Sequence, residues 1–587
     1  MLYRDTDLVV TATRTPKPLS QVAENVSIVT ADEIEAINAH TLADVLRYVN
    51  GVQTDQRGGP GSYAAVSIQG SDARHVRVMV DGVTLNSISS DNVEIGAFPV
   101  QDIDRIEIIK GPASSSWGSS LGGVINIITK GSDPDRRLGG AVSASIGEQG
   151  TADLRAALSG TTGDVGYYLS AGGLTSDGVT PATPFDGGNL YTKLAYQAAS
   201  QTKLQFTLGY NRMKRGDGQD LSYGIGLGSG SEQLFSTAEL TYDLRDDLSL
   251  DVSGRVIRLH SFQFMEDLAS GSEMYPQAFD ELNAGTSVKL HWQGAHQNLL
   301  AGFDNDNGSV DSQAIKSGKQ WLETWAVYLN DTLTWGAFSA TPGVRYDYTS
   351  TSGSFVSPSL GITYRPWKGA VLRASVARGF SAPPLFYSYG DGVFFKSNPN
   401  LKEESVWSYA VGLETPVTDY VVFKATGFRH DIDDVISFAG TATDYTAINR
   451  GKQRRQGVEL ELRTKPVLHT SLMAGYTYID ADTPGDGAAL ATPPRYTVDL
   501  GVDYNDARVG RGTLRGYFIR QRPYEVPTGR FHAVIWDLNL ARTVVERDNR
   551  KVDLFFTAHN LLNGSQYTDS LFPNPRRWFE GGVRFRF

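Results

Sequence analysis

Beyond Lys130, and for about 450 residues to the end of the chain, apolar and polar side chains alternate with a period of two rather than with helical spacing. In KLQFTLGY, Leu204, Phe206, Leu208 and Tyr210 share one face; in VVFKATGFRHD, Val422, Lys424, Thr426 and Phe428 alternate with Val421, Phe423, Ala425 and Gly427. Similar runs recur in VLRASVARGF, VELELRTK and DLFFTAHNLLN, separated by polar turns and by longer Gly/Asp/Ser-rich loops such as GDGQDLSYGIGLGSGSEQ. At about 20 residues per strand with its share of turn and loop, this region holds on the order of 20 antiparallel strands. An open sheet of that size would be hard to sustain, and closing it into a barrel removes its edges. The terminal GGVRFRF sets Val583, Phe585 and Phe587 on one face and Arg584 and Arg586 on the other, the apolar-out, polar-in order of a barrel wall.

No stretch reaches the roughly 18 to 20 apolar residues of a spanning helix, and the first residues lack the basic-then-apolar layout of a signal peptide. A transmembrane barrel escapes such a scan because its signal is weak per segment. The composition agrees with many turns and aromatic strands: 62 Gly, 27 Tyr, 25 Phe and 9 Trp in 587 residues. Without Cys there are no disulfides and no thiol catalysis, and a net charge of −11 argues against nucleic acid as a partner.

The first 130 or so residues have another texture, and their number suits an ordinary domain. Between Asp32 and Tyr48, Ile34, Ile37, Leu42, Val45 and Leu46 fall at helical spacing, continued by Val49, and Thr41 is placed to cap a second short helix. Short strands follow in AVSIQG, VRVMVDGV, IDRIEIIKGP and GGVINIITKG, giving a small α+β domain. Ahead of it stands DTDLVVTATRTPKP, whose β-branched run Leu8 to Thr11 has no obvious local partner and is followed by Pro16 and Pro18.

Several motifs in order carry a resemblance. SIQGSDARHVRVMVDGVTLN (Ser67 to Asn86) and IDRIEIIKGPASSSWGSSLGGVINIITK (Ile103 to Lys130) resemble the plug of TonB-dependent outer-membrane receptors. GFSAPPLF, NPNLKEES, INRGKQRRQGVELEL and the terminal NLLNGSQYTDSLFPNPRRWFEGGVRFRF resemble the barrel of the same family. The resemblance implies an all-β membrane protein: an antiparallel transmembrane barrel of about 22 strands with an N-terminal α+β plug in its lumen. The implied boundaries are residues 1–20 for the TonB box and linker, 21–132 for the plug and 133–587 for the barrel. It also implies no enzymatic activity, a place in the outer membrane of a Gram-negative bacterium facing lipid, work as a monomer, and import of a scarce nutrient driven through TonB in the periplasm.

Within the family, Asp7, Leu8, Val9, Val10, Thr11 and Ala12 resemble the TonB box, which adds as a strand to TonB; backbone hydrogen bonds supply the affinity and β-branched side chains favour the extended form. The plug is most similar to that of cobalamin receptors. The two apical loops that meet cobalamin there fall at Gln56 to Tyr63 and Asn86 to Asn92, which makes Gln56, Arg57, Ser62, Tyr63, Asn86, Ser87, Ser90, Asp91 and Asn92 the candidate ligand contacts. The ligand class is a metal-chelate small molecule: cobalamin or a related corrinoid, with a ferric siderophore as the alternative. Haem fits less well, because PLFYSYGDGVFFKS lacks the His that haem receptors carry there. A soluble β-rich adhesin or enzyme is the alternative from a different class.

No cofactor is required on this reading. Cobalamin receptors order their loops with calcium, but here Asp177, Asp186, Asp217 and Asp220 are scattered, and calcium wants six to eight oxygens. The nine His make no local metal motif, since His291 and His296 stand five positions apart without a partner. Gly118-Ser119-Ser120-Leu121-Gly122 satisfies G-x-S-x-G, yet a strand-forming run follows it rather than the helix of a nucleophile elbow.

Overall fold

The computed structural model describes residues 8–221, 223–392, 394–441, 444–482, 493–520, 533–566 and 574–587. Among these, 22 antiparallel strands close into a barrel, each bonded to its neighbours in chain order. The wall starts at Gly139–Gly147 and ends at Trp578–Arg586, and these two strands pair to close it, Ala144 opposite Val583 and Val142 opposite Phe585. Phe587 and Gly140 then exchange two backbone hydrogen bonds of 2.9 and 3.0 Å.

The alternation does what the closure requires. Leu154, Leu158, Leu190, Leu194, Leu204 and Phe206 point outward and are exposed, whereas Thr207, Ser287, Arg345 and Thr426 point into the lumen and are buried. Arg584 and Arg586 also point inward, where both meet Glu35 of the plug, at 2.8 and 2.5 Å. On one side the wall extends far past the others, in strands such as Ile225–Arg245 and Glu273–Gln293. At about 3.3 Å per residue each of these spans roughly 70 Å, well over twice a bilayer core.

Inside sits the plug. Its five-stranded sheet runs in the order Asn25–Thr30, Ile103–Lys110, Gly123–Thr129, Val76–Val80 and Val83–Thr84. Gly123–Thr129 pairs parallel with Val76–Val80, and the other neighbours are antiparallel. The helical pattern read between Asp32 and Tyr48 is two short helices, Ala31–Ala36 and Leu42–Leu46. Thr30 and Thr41 head them with capping boxes completed by Glu33 and Asp44, and the left-handed Asn38 (φ 49°) separates them. Leu42, Val45 and Leu46 pack with Ile106, Ile108, Ile125 and Ile127 in the plug core.

Ser120 is fully buried, gives its hydroxyl to the Gly118 carbonyl at 3.0 Å, and is followed by the strand Gly123–Thr129. It is a packed turn residue, with no nucleophile elbow around it. Plug and wall meet through paired polar groups: the charges of Lys110 with Glu459 at 2.7 Å and of Arg74 with Glu404, and the His75 imidazole bonded to the same Glu404 at 2.7 Å. Burying charged groups is tolerable because they are paired, and apolar contact joins the two bodies as well, with Tyr168, Tyr191, Phe235 and Ile257 of the wall packing onto the plug core.

Candidate functional site

The run at the N-terminus has a local partner after all. Leu8 and Val9 pair antiparallel with Pro18 and Lys17, forming a small ribbon apart from the plug sheet. The chain turns back at Arg14, whose φ of 63° is left-handed. Asp7 lies outside the described residues.

Val9, Thr11 and Ala12 are buried while Leu8 is exposed. Glu107, fully enclosed, accepts the backbone N–H groups of Val10 and Thr11 at 2.9 Å each and the Thr11 hydroxyl at 2.6 Å, all on one carboxylate oxygen. Trp117 donates its indole N–H to the Thr11 carbonyl at 2.7 Å, and Ser116 its hydroxyl to the Ala12 carbonyl at 3.1 Å. Arg14 then fastens the turn to the wall: it pairs with Asp304 at 2.6 Å and lies over the rings of Trp117 and Tyr328, 4.5 Å from each. Behind it the Lys17 ammonium is buried and donates to the Thr341 hydroxyl at 2.7 Å; burial, eased by Glu24, lowers its pKa to about 8. The segment that the resemblance marks for docking is thus held inside, with the N–H groups of Val10 and Thr11 already taken.

The two apical loops lie elsewhere on the plug. In the first, Ser62 gives its hydroxyl to the Gly59 carbonyl at 2.7 Å and Gln56 its amide to the same carbonyl at 3.1 Å, while Gln56 accepts from Arg47. These two side chains shape the loop. Tyr63 is clasped by cations, Arg57 at 4.5 Å and Arg215 at 5.4 Å from its ring. Burial and then Glu94 push its hydroxyl up to about 12, so it stays a neutral donor.

In the second loop, Asn86 is spent on the backbone: its carbonyl accepts from Val78 N–H at 2.9 Å, and its amide donates to Val76 and Asp91 carbonyls at 3.0 and 2.7 Å. Ser87 donates to Glu281 of the wall at 2.7 Å, and Glu281 also takes the Ser89 hydroxyl and the Ile88 and Ser89 N–H groups. Ser90 accepts from the Asn92 N–H at 3.4 Å, the Asn92 carbonyl accepts from the Ser87 N–H at 3.0 Å, and the Asn92 side-chain Oδ1 is buried without a hydrogen-bond partner. Burial pushes the Asp91 carboxyl up to about 7 against the pull of Arg77 and Arg74. Gln56, Ser62, Asn86 and Ser87 thus hold the loops in place, while Arg57 lies against the Tyr63 ring.

Sequence reasoning missed the wall residues. Glu281 and Asp304 both face the lumen, one gripping the second loop and the other the Arg14 turn; Glu281 lies on the strand Glu273–Gln293 and Asp304 on its neighbour Gln297–Asp311. Asp304 is in register with Ser287 on Glu273–Gln293, which places its level about 20 Å along that strand from Glu281. An inward acid at one position of a long alternating strand has no local signature. The scattered acids do not gather: Asp217 pairs with Arg215 at 2.5 Å and Asp186 with Arg212 at 3.6 Å. Among the described residues, three metal-type ligands come together only at His40, His559 and Glu580.

A closed barrel whose lumen holds a plug, with polar loops on one part of it and a tucked N-terminal strand on another, defines a gated outer-membrane import receptor. The chain belongs to the TonB-dependent receptors: the model "TonB dependent receptor-like, beta-barrel" matches residues 132–561 and "TonB-dependent Receptor Plug Domain" matches residues 18–124. It is 27% identical over 525 residues to the vitamin B12 transporter BtuB of Photobacterium profundum, covering 85% of this chain and 82% of that one. The siderophore receptor PirA of Acinetobacter baumannii superposes with a TM-score of 0.78 at 18% identity, over 97% of this chain and 99% of that one. A mutant form of the ferric enterobactin receptor PfeA of Pseudomonas aeruginosa gives 0.79 at 19% identity, over 99% and 100%. The two structural likenesses speak for the fold. Family and fold make the protein an outer-membrane transporter of a Gram-negative bacterium that works with TonB and takes a small-molecule ligand, and not an enzyme or a soluble adhesin.

Proposed function

We propose that the cargo is a corrinoid, cobalamin or a near relative, taken up at the apical loops by Arg57, Tyr63, Ser90, Asp91 and Asn92. The observation that carries this reading is the 27% identity to a vitamin B12 transporter across 525 residues, plug and barrel together. The loops agree with it chemically. They are pinned by their own side chains and by Glu281, so a rigid polar edge with a neutral phenol at Tyr63 faces an amide-rich ligand without ordering cost. Leu8 to Ala12, with Asp7 ahead of them, form the TonB box, and the protein works as a monomer with its outward apolar band in lipid.

A ferric siderophore is the second reading, favoured by one feature. Phe386, Tyr387, Phe395, Phe438 and Tyr445 form a continuous ring cluster with centroids 5.1 to 6.3 Å apart, built on the helix Leu385–Tyr389 and the small sheet Phe395–Lys396, Asp444–Asn449, Ile436–Thr441. Phe395 is buried at its centre, and the exposed Phe438 offers a face on which an aryl group can stack. Equilibrium binding of cyanocobalamin and of a ferric tris-catecholate to the detergent-purified receptor separates the two. Saturable cobalamin binding with none of the catecholate is the expected result; the reverse overturns the corrinoid assignment.

A further inference from the structure

His40, His559 and Glu580 come from opposite ends of the chain and meet where the plug touches the last two barrel strands. His40 precedes the helix Leu42–Leu46, His559 ends the strand Arg550–His559, and Glu580 lies in Trp578–Arg586. His40 Nε2 is 2.9 Å from Glu580 Oε1 and 3.1 Å from Oε2, and His559 Nε2 is 2.9 Å from the same Oε1. The three ligand atoms all lie within 4.8 Å of one another.

What surrounds them orients ligands. The other nitrogen of His40, Nδ1, is 2.5 Å from Asp153 Oδ2, and Asp153 is gripped by Arg155. A carboxylate on the far nitrogen of an imidazole is the arrangement that fixes the tautomer and aims the near nitrogen's lone pair at a metal. The His559 ring is stacked on Trp578 at 3.9 Å and 10°, which sets its plane, and the Asn38 amide donates to Glu580 Oε1 at 2.9 Å. Beside the cluster a cavity lined by His40, His559, Trp578, Gly58 and Pro60 gives solvent a way in. Tetrahedral zinc, with bonds of about 2.0–2.1 Å to nitrogen and oxygen, holds its ligand atoms about 3.3 Å apart. The two contacts of Glu580 Oε1 with His40 and His559, 2.9 Å each, need to open by only a few tenths of an ångström.

We propose that His40, His559 and Glu580 form a binding site for a divalent transition-metal ion of the zinc class, which clamps the plug to the last two barrel strands and leaves a fourth position toward the cavity. Two imidazoles and one carboxylate suit zinc, and calcium, which wants six or more oxygens, is disfavoured. Both nitrogens of His40 lie against carboxylates, Nδ1 on Asp153 and Nε2 on Glu580, so a metal would take the place that the Nε2–Glu580 contact now fills.

The test uses the full chain, purified in detergent without a histidine tag and titrated with Co²⁺ and then Zn²⁺. One equivalent of Co²⁺ is expected to give the intense visible bands of a four-coordinate site, which an equivalent of Zn²⁺ then removes by displacing the Co²⁺. His559→Gln should abolish those bands, and Asp153→Asn should weaken binding about 10- to 100-fold. Heat-modifiable mobility on gels shows whether each variant keeps its barrel; should neither keep it, the wild-type titration decides alone. A wild-type spectrum showing six-coordinate Co²⁺ only, or bands unchanged in folded His559→Gln, overturns the assignment.

Discussion

Thr11 is bound to Glu107 twice over, by its N–H at 2.9 Å and by its hydroxyl at 2.6 Å, both to one oxygen of a carboxylate that no solvent reaches. Val10 adds its own N–H to that oxygen. If this segment adds as a strand to TonB, as proposed, the Val10 and Thr11 donors must first leave Glu107.

Glu107→Ala should free the segment without any ligand. Hydrogen bonds to a charged group contribute about 1.5–3 kcal/mol each, and three are lost together. The check is a spin label at the exposed Leu8, whose spectrum should move to the mobile form in the unliganded variant and stay broad in the parent. An immobile label in Glu107→Ala would show that the ribbon with Lys17 and Pro18 and the Arg14–Asp304 pair hold the segment unaided.

Lys17 gives the docked linker a pH dependence. Its folded pKa of about 8 lies below the usual 10.5, because burial penalises the ammonium. The unfolded form then binds more protons between those values, so the native state gains stability as pH rises from 8 to 10.5, and the cost is fully present below 8. At about 1.4 kcal/mol per unit the penalty at neutral pH is on the order of 3 kcal/mol. Lys17→Met should raise plug stability at pH 7 and flatten its rise above pH 8, as read by urea unfolding followed through tryptophan fluorescence.

Much of this was legible in the residues. The period of two specified a barrel because it repeats strand after strand with one polar face, and Thr41 marked the start of the second short helix of the plug. The partner of Leu8 and Val9 was hidden, since the ribbon with Lys17 and Pro18 depends on a left-handed Arg14, a residue type that rarely adopts φ > 0. Asn86 read as a polar loop residue free for a ligand, whereas its three hydrogen bonds are turned to its own backbone. Glu281, Asp304 and the pairing of His40 with Glu580 are contacts across 192 to 540 positions, and without a second sequence to compare, only the closed barrel brings them together.

The ligand loops give the third expectation. Replacing Arg57, Tyr63, Ser90 and Asp91 together by Ala removes the cation–phenol clasp and two polar groups while leaving Gln56, Ser62, Asn86 and Ser87 to hold the backbone. Affinity for cyanocobalamin should fall at least tenfold, a loss of about 1.4 kcal/mol, with the barrel still heat-modifiable. Asn86→Ala alone should behave otherwise, releasing three backbone groups and loosening the whole loop. Equal affinity in the fourfold variant and the parent would move the site away from these loops.

Val10→Pro separates docking from transport. Proline has no N–H, so the change deletes a bond to Glu107 at rest and a rung of the ladder that the box would form with TonB. A neutral backbone hydrogen bond contributes only about 0.5 to 1.5 kcal/mol net, but proline also interrupts the strand pairing, and a transient complex has little affinity in reserve. Energised accumulation of ligand should therefore largely fail in cells carrying Val10→Pro, while equilibrium binding at the apical loops, which receive no contact from the box, stays as in the parent. Val9→Ile, which keeps every backbone group and the β-branch, should leave both intact. Accumulation at the parental rate in Val10→Pro would show that the segment Leu8 to Ala12 is only the first ribbon of the plug, and that TonB engages the chain elsewhere.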